Sequence, residues 1–177
     1  MKSHYSDAPV SSIPARHTLS ALVDNEPGVL ARIAGLFSGR GYNIESLTVS
    51  ETEHEKHVSR ITIVTTGTAM VIEQIKHQLD RLVPVHRVVD LTTEGEAIER
   101  ELALVKLVGK GESRSEALRL AAAFGARTVD ATLDSFVFEL TGTSEEIERY
   151  LRAVSELGLA EVSRTGIAAM ARGVAAF

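Results

Sequence analysis

The chain has 177 residues, 44% of them hydrophobic and 24% charged, with a formal net charge of −5 from 24 acidic and 19 basic residues and no cysteine. That is enough apolar material for one medium or two small cores, which excludes a largely disordered chain. No apolar run approaches the ~18 residues of a membrane span, and no basic surplus points to nucleic acid, so neither membrane nor nucleic acid is an expected partner. The missing cysteines exclude disulfides, thiolate metal sites and cysteine nucleophiles, and fit a reducing compartment.

Residues 1–15 hold four Ser and two Pro and lack an apolar h-region. They read as a disordered tail rather than a secretory signal, and the expected location is cytoplasmic. His17 to Val23 alternates as a strand. The turn cluster Asp24-Asn25-Glu26-Pro27-Gly28 follows, then Leu30, Ile33 and Phe37 at helical spacing up to Gly39 and Gly41. Asn43 to Ser50 and Val58 to Thr65 read as strands around a polar loop, Glu51 to His57. A helix after Gly67 and Thr68 shows the stripe Val71, Ile75, Leu79, Leu82, Pro84 breaks it, and Val85 to Leu91 is a strand. The order β-α-β-β-α-β over residues 16–92 is ferredoxin-like.

Residues 93–100 are acidic and read as a linker. The order then repeats over 101–177: strand Leu102 to Val108, a helix opened by a capping box at Ser113-Arg114-Ser115-Glu116, strands at Arg127 to Ala131 and Phe136 to Leu140, a helix opened by a second box at Thr143-Ser144-Glu145-Glu146, strand Leu159 to Ser163, and a small-residue tail from Thr165. The expected fold is α+β, two ferredoxin-like units. Units this small bury only about 60% of their unfolded surface, and a four-stranded sheet leaves an open face and edges, so a homodimer is expected.

An enzyme site is not visible. There is no Gly-x-Ser-x-Gly elbow, His-Glu-x-x-His or phosphate loop; Gly109-Lys110-Gly111 is a strand-to-helix turn, and His54 and His57 read as solvated loop residues. The informative segment is Asp24 to Leu30. The free N–H groups opening the first helix favour an anion, and Gly28 lets a carboxylate approach the backbone. Asp24 and Asn25 offer oxygens to an ammonium group. One loop thus has partners for both ends of an α-amino acid. The same residues also make a plain turn with Pro near the first helical position and a packing glycine, and the residues alone do not choose.

The run Leu22-Val23-Asp24-Asn25-Glu26-Pro27-Gly28-Val29-Leu30-Ala31-Arg32-Ile33, with Gly35-Leu36-Phe37-Ser38 and Arg40-Gly41-Tyr42-Asn43-Ile44-Glu45-Ser46-Leu47, resembles an ACT domain. More narrowly it resembles the small regulatory subunits of acetolactate synthase (acetohydroxyacid synthase). Ser59 to Ile63, Glu99 to Lys106, Ser163 to Gly166 and Ala171-Arg172-Gly173 extend the likeness along the chain.

The resemblance implies a non-catalytic chain in branched-chain amino acid biosynthesis. It implies feedback inhibition by valine, with leucine or isoleucine as further candidates, bound where two ACT domains meet. Asn25, Gly28, Val29 and Leu30 of one chain, with Asn43 and Ile44 of its partner, are the implied valine-binding residues. The C-terminal domain is implied to engage and activate a catalytic large subunit. That chain is expected to hold the thiamine diphosphate, FAD and magnesium, and this chain none. The alternative is a stand-alone ACT-type amino-acid sensor or an assembly protein without a catalytic partner.

Overall fold

The computed structural model describes residues 13–53 and 57–174. Most of the expected tail, and His54, lie outside them. The chain divides into two compact units, residues 1–97 with 169–177, and residues 98–168.

Unit 1 runs β1 (Ala15–Asp24), α1 (Val29–Gly39), β2 (Ser46–Glu53), β3 (Val58–Gly67), α2 (Ala69–Asp80) and β4 (Val85–Asp90). Its strands form an antiparallel sheet in the order β2-β3-β1-β4. Alternation decides the faces: Leu19 stands opposite Ile63, and Ala21 opposite Ile61 and Val88. These residues pack with Ile33 and Phe37 of α1 and Ile72, Ile75 and Leu79 of α2, so both helices cover one face. The other face is not open along β1, where Thr18 and Ser20 have no exposure at all. At one end of β1 the buried His17 Nδ1 lies 2.7 Å from Asp90 Oδ2.

Unit 2 repeats the pattern with β5 (Ala97–Val108), α3 (Glu112–Phe124), β6 (Arg127–Ala131), β7 (Ser135–Gly142), α4 (Ser144–Val154) and β8 (Leu159–Arg164), in the order β6-β7-β5-β8. A further short strand, β9 (Ala168–Ala171), pairs with β5. Ala103, Val105, Leu107, Phe136, Phe138 and Leu140 pack against Ala117 and Ala121 of α3 and Ile147, Tyr150 and Val154 of α4. The fold is therefore α+β, two βαββαβ units of like topology. No helix among the described residues is long and apolar enough to cross a membrane.

The local readings hold unevenly. Thr143 accepts from the Glu146 N–H, and the Glu146 carboxylate accepts from the Thr143 N–H, a complete capping box. The box expected at Ser113 does not form, because α3 starts at Glu112, after Gly111 at φ 60°, with no side-chain cap. Strand β5 begins at Ala97, inside the segment read as a linker, and β9 lies inside the segment read as a tail. Strand β2 begins at Ser46 rather than Asn43.

Candidate functional site

The turn from β1 to α1 is held by main-chain bonds on both sides of the strand. The Asp24 N–H donates to Pro84 O (2.8 Å) and the Asn25 N–H to His57 O (2.6 Å), so the loop is fixed to the residues flanking β4 and β3. Within the loop the Glu26 N–H reaches Asp24 O at 3.0 Å.

Gly28 is the N-cap of α1, in the left-handed conformation at φ 92°. That conformation is strained for any residue with a Cβ, which is the physical reason for glycine here. A Cβ at this position would meet nothing within 4 Å, so the approach to the helix end is open. The Arg32 N–H closes the first turn on Gly28 O at 3.0 Å. The N–H groups of Leu30 and Ala31 lie in that turn and have no intrahelical acceptor. No side chain caps them and no acidic residue sits in the turn. An uncapped N-terminus of this kind attracts an anion through its free donors and the helix dipole.

The side chains fall into two classes. Val29 is 4% exposed and packs with Ile33 and Phe37, so only its main chain faces the loop. Asn25 and Gly28 are exposed, and Leu30 is 44% exposed, an apolar surface beside the free amides. Asp24 Oδ1 lies 2.7 Å from His86 Nε2 on β4, and Glu26 Oε1 accepts from Arg32 at 3.4 Å. The loop's two carboxylates thus have partners, while Asn25 is exposed.

Asn43 and Ile44 are placed elsewhere. They follow α1, whose eleven residues span roughly 16 Å, so one chain keeps them at the opposite end of the helix from Gly28. The Asn43 carbonyl accepts from Thr65 Oγ1 at 2.7 Å, and its side chain is exposed. Ile44 is half-buried against the core. The Glu45 N–H then donates to Val64 O at 2.8 Å and starts the edge strand β2.

Glu101, 5% exposed, receives Arg164, which also meets Glu148 of α4. Among the described residues, no group of three or more His, Asp or Glu could hold a metal ion.

Comparison with known proteins is decisive at this point. Residues 19–87 match the family described as AHAS small subunit-like ACT domain, and residues 100–173 the one described as small subunit of acetolactate synthase. A probable acetolactate synthase small subunit of Archaeoglobus fulgidus is 44% identical over 158 residues, 89% of this chain and 98% of that one. The chain belongs to the acetolactate synthase small-subunit family. The small subunit of Haemophilus influenzae is likewise 44% identical, over 159 residues. The crystal structure of the acetolactate synthase small subunit from Thermotoga maritima superposes with a TM-score of 0.81 at 36% identity, covering 91% of this chain and 99% of that one.

Within this small-subunit fold, the sequence did not point to the carbonyls of His57 and Pro84 or to the His86 side chain. They reach the loop through strand pairing, in which Asp24 stands opposite Val58 and Val23 opposite Val85. A register drawn from the alternating strands would have located them.

Proposed function

We propose that this chain is a regulatory subunit that activates the acetolactate synthase catalytic chain and makes it subject to inhibition by valine, with leucine and isoleucine as weaker candidates. The observation that supports this most is the open, uncapped start of α1 at Gly28. The valine carboxylate would lie on the Leu30 and Ala31 amides, approached over Gly28. The Asn25 carbonyl oxygen would take the ammonium group, and Leu30 would flank the side chain.

A homodimer of ACT units completes the site, with Asn43 and Ile44 of the partner supplying the other wall. The free edge of β2, which directly follows those two residues, is the natural contact, since the face of β1 away from the helices is buried. A ligand bound between two chains fixes their relative placement. It can therefore favour one state of the complex by its differential affinity, typically about 1–3 kcal/mol of coupling.

The complex would join two pyruvates, or pyruvate and 2-ketobutyrate, with loss of carbon dioxide. The catalytic chain would hold the thiamine diphosphate, FAD and magnesium for that step. This chain would contribute no reacting group, and the complex would act in the cytoplasm.

The test is co-purification with the catalytic subunit followed by an activity titration. The reading predicts that activity rises as this chain is added and falls again with valine. No rise, or a rise that valine leaves unchanged, would refute the respective half.

A further inference from the structure

The chain passes between its two units twice. It leaves unit 1 after Ala97 and returns at Ala169, so the C-terminal segment belongs to unit 1 although it follows unit 2 in sequence. The return is made by β9 and is closed by a bond inside unit 1. There the Arg172 N–H donates to Glu96 O at 2.9 Å, and Arg172 Nε lies 3.8 Å from Glu96 Oε2 as an exposed ion pair.

The Glu96 side of this closure is firm. Glu96 stands two residues beyond a turn that is held from several sides. Asp90, 1% exposed, accepts from the Thr92 N–H and the Thr93 hydroxyl, both at 2.9 Å, and also meets the His17 ring. Lys76 of α2 donates to Glu94 at 2.9 Å. The same turn ends β4, and the residue before β4, Pro84, holds the Asp24 N–H of the α1 loop at 2.8 Å. One strand of six residues, about 20 Å long, therefore joins the loop to the anchor of β9.

The β9 side is weak. Its four residues include no branched side chain, and Ala169 is buried while Ala168 and Met170 are exposed. A strand that short, with so little apolar burial, opens locally at a small fraction of the cost of global unfolding. The paired and open arrangements of β9 are the two states that coupling between distant sites needs.

We propose that β9 is a detachable clasp, closed when an amino acid occupies the α1 loop, and that the closed form is the one in which the catalytic chain is inhibited. This rests on the proposed function. A ligand in the loop restrains Asp24 and, through Pro84, the start of β4. The turn after β4 then keeps Glu96 in place for Arg172, and β9 stays paired. With the loop empty these restraints loosen and β9 opens more often.

The test is hydrogen exchange of the full chain with and without valine, beside valine inhibition of the complex. Valine is expected to slow exchange at Met170 and Arg172 at least about fivefold, the lower end of allosteric couplings, and to leave β7 unchanged. Gly28→Asp should abolish the slowing. Arg172→Pro removes the closing donor at an exposed position. It should leave activation intact while raising the valine concentration for half inhibition at least about fivefold. Arg172→Ala keeps the N–H and should behave as the wild type. If Arg172→Pro also loses protection in β7, Met170→Pro, likewise at an exposed position, takes its place. A chain that binds valine in calorimetry without added protection at Met170 and Arg172 overturns the clasp. So does an Arg172→Pro complex that valine inhibits as readily as the wild type. A chain that binds no valine refutes the proposed function itself, and the role of β9 falls with it.

Discussion

The two units have the same strand order and start their helices by the same rule, yet they offer different chemistry. In both, the first helix opens at a positive-φ glycine without a side-chain cap, Gly28 or Gly111. In both, the second helix opens at an extended threonine that does cap, Thr68 or Thr143. The bare amides are thus a property of the fold. What distinguishes unit 1 is the loop before them. Asp24-Asn25-Glu26-Pro27 brings oxygen atoms to the rim, whereas Gly109-Lys110 brings a lysine that pairs with Asp134 at 3.0 Å. The first turn of α3 also carries its own carboxylate, Glu112, whereas that of α1 carries none and is preceded by the exposed Asn25.

The largest effect that sharpens this comparison is on the cores. Phe138 has no exposure at the centre of unit 2, and Phe138→Ala should cost about 3–5 kcal/mol. Hydrogen exchange should then speed up in β7 and α4 while β1 and β3 keep their protection. Equal loss in both units would show that they do not unfold separately.

The glycines give the next contrast. A Cβ at Gly158 (φ 86°) would lie 2.0 Å from Val108 O, so Gly158→Ala adds a backbone clash to the strain of a left-handed residue and should cost at least about 3 kcal/mol in urea melts. Gly28→Ala meets no neighbour and should cost only the ~1–2 kcal/mol of conformation. Similar costs at both positions would mean that the open approach at Gly28 is closed in solution.

A smaller effect tests whether the proposed site includes a partner's Asn43. Asn43→Ala is expected to weaken valine binding by about 1–3 kcal/mol in calorimetry and to leave the thermal midpoint unchanged, since its side chain is exposed. Unchanged affinity would remove Asn43 from the site.

The smallest effect is at the cap. Thr143→Ala should cost about 1 kcal/mol in unit 2. The Glu146 half of the same box depends on pH in a fixed direction. Its folded-state pKa is lowered from 4.5, chiefly by the Thr143 N–H, so its contribution is present above that value and fades as the pH falls through the lower one. Thermal melts of the wild type against Glu146→Gln across that range should converge at the acid end.

Much of the fold was legible because the buried positions follow simple periods. Leu19, Ala21 and Val23 alternate, and Ile72, Ile75 and Leu79 follow a helix. Where charged or small residues occupy a strand, the period is hidden. Ala97 to Arg100 belong to β5 but read as a linker, and Ala168 to Ala171 form β9 without a branched residue among them. Ser113 has the spacing of a cap, yet Gly111 reaches the required turn first.

The loop at Gly28 was readable because a left-handed helix start leaves a local mark. That Val29 turns its side chain into the core was not apparent, nor was the main-chain support from His57 and Pro84. Asn43 is separated from Gly28 by the length of α1, so the structure of one chain does not bring the two together.

On the proposed function, the bare start of α1 receives an amino acid. Titration calorimetry of the full chain with valine tests it most directly, comparing the wild type with Gly28→Asp, whose carboxylate would occupy the approach and repel the ligand's own. Saturable heat is expected from the wild type and none from the variant, with both chains still activating the catalytic subunit. Equal valine binding by the two would contradict it.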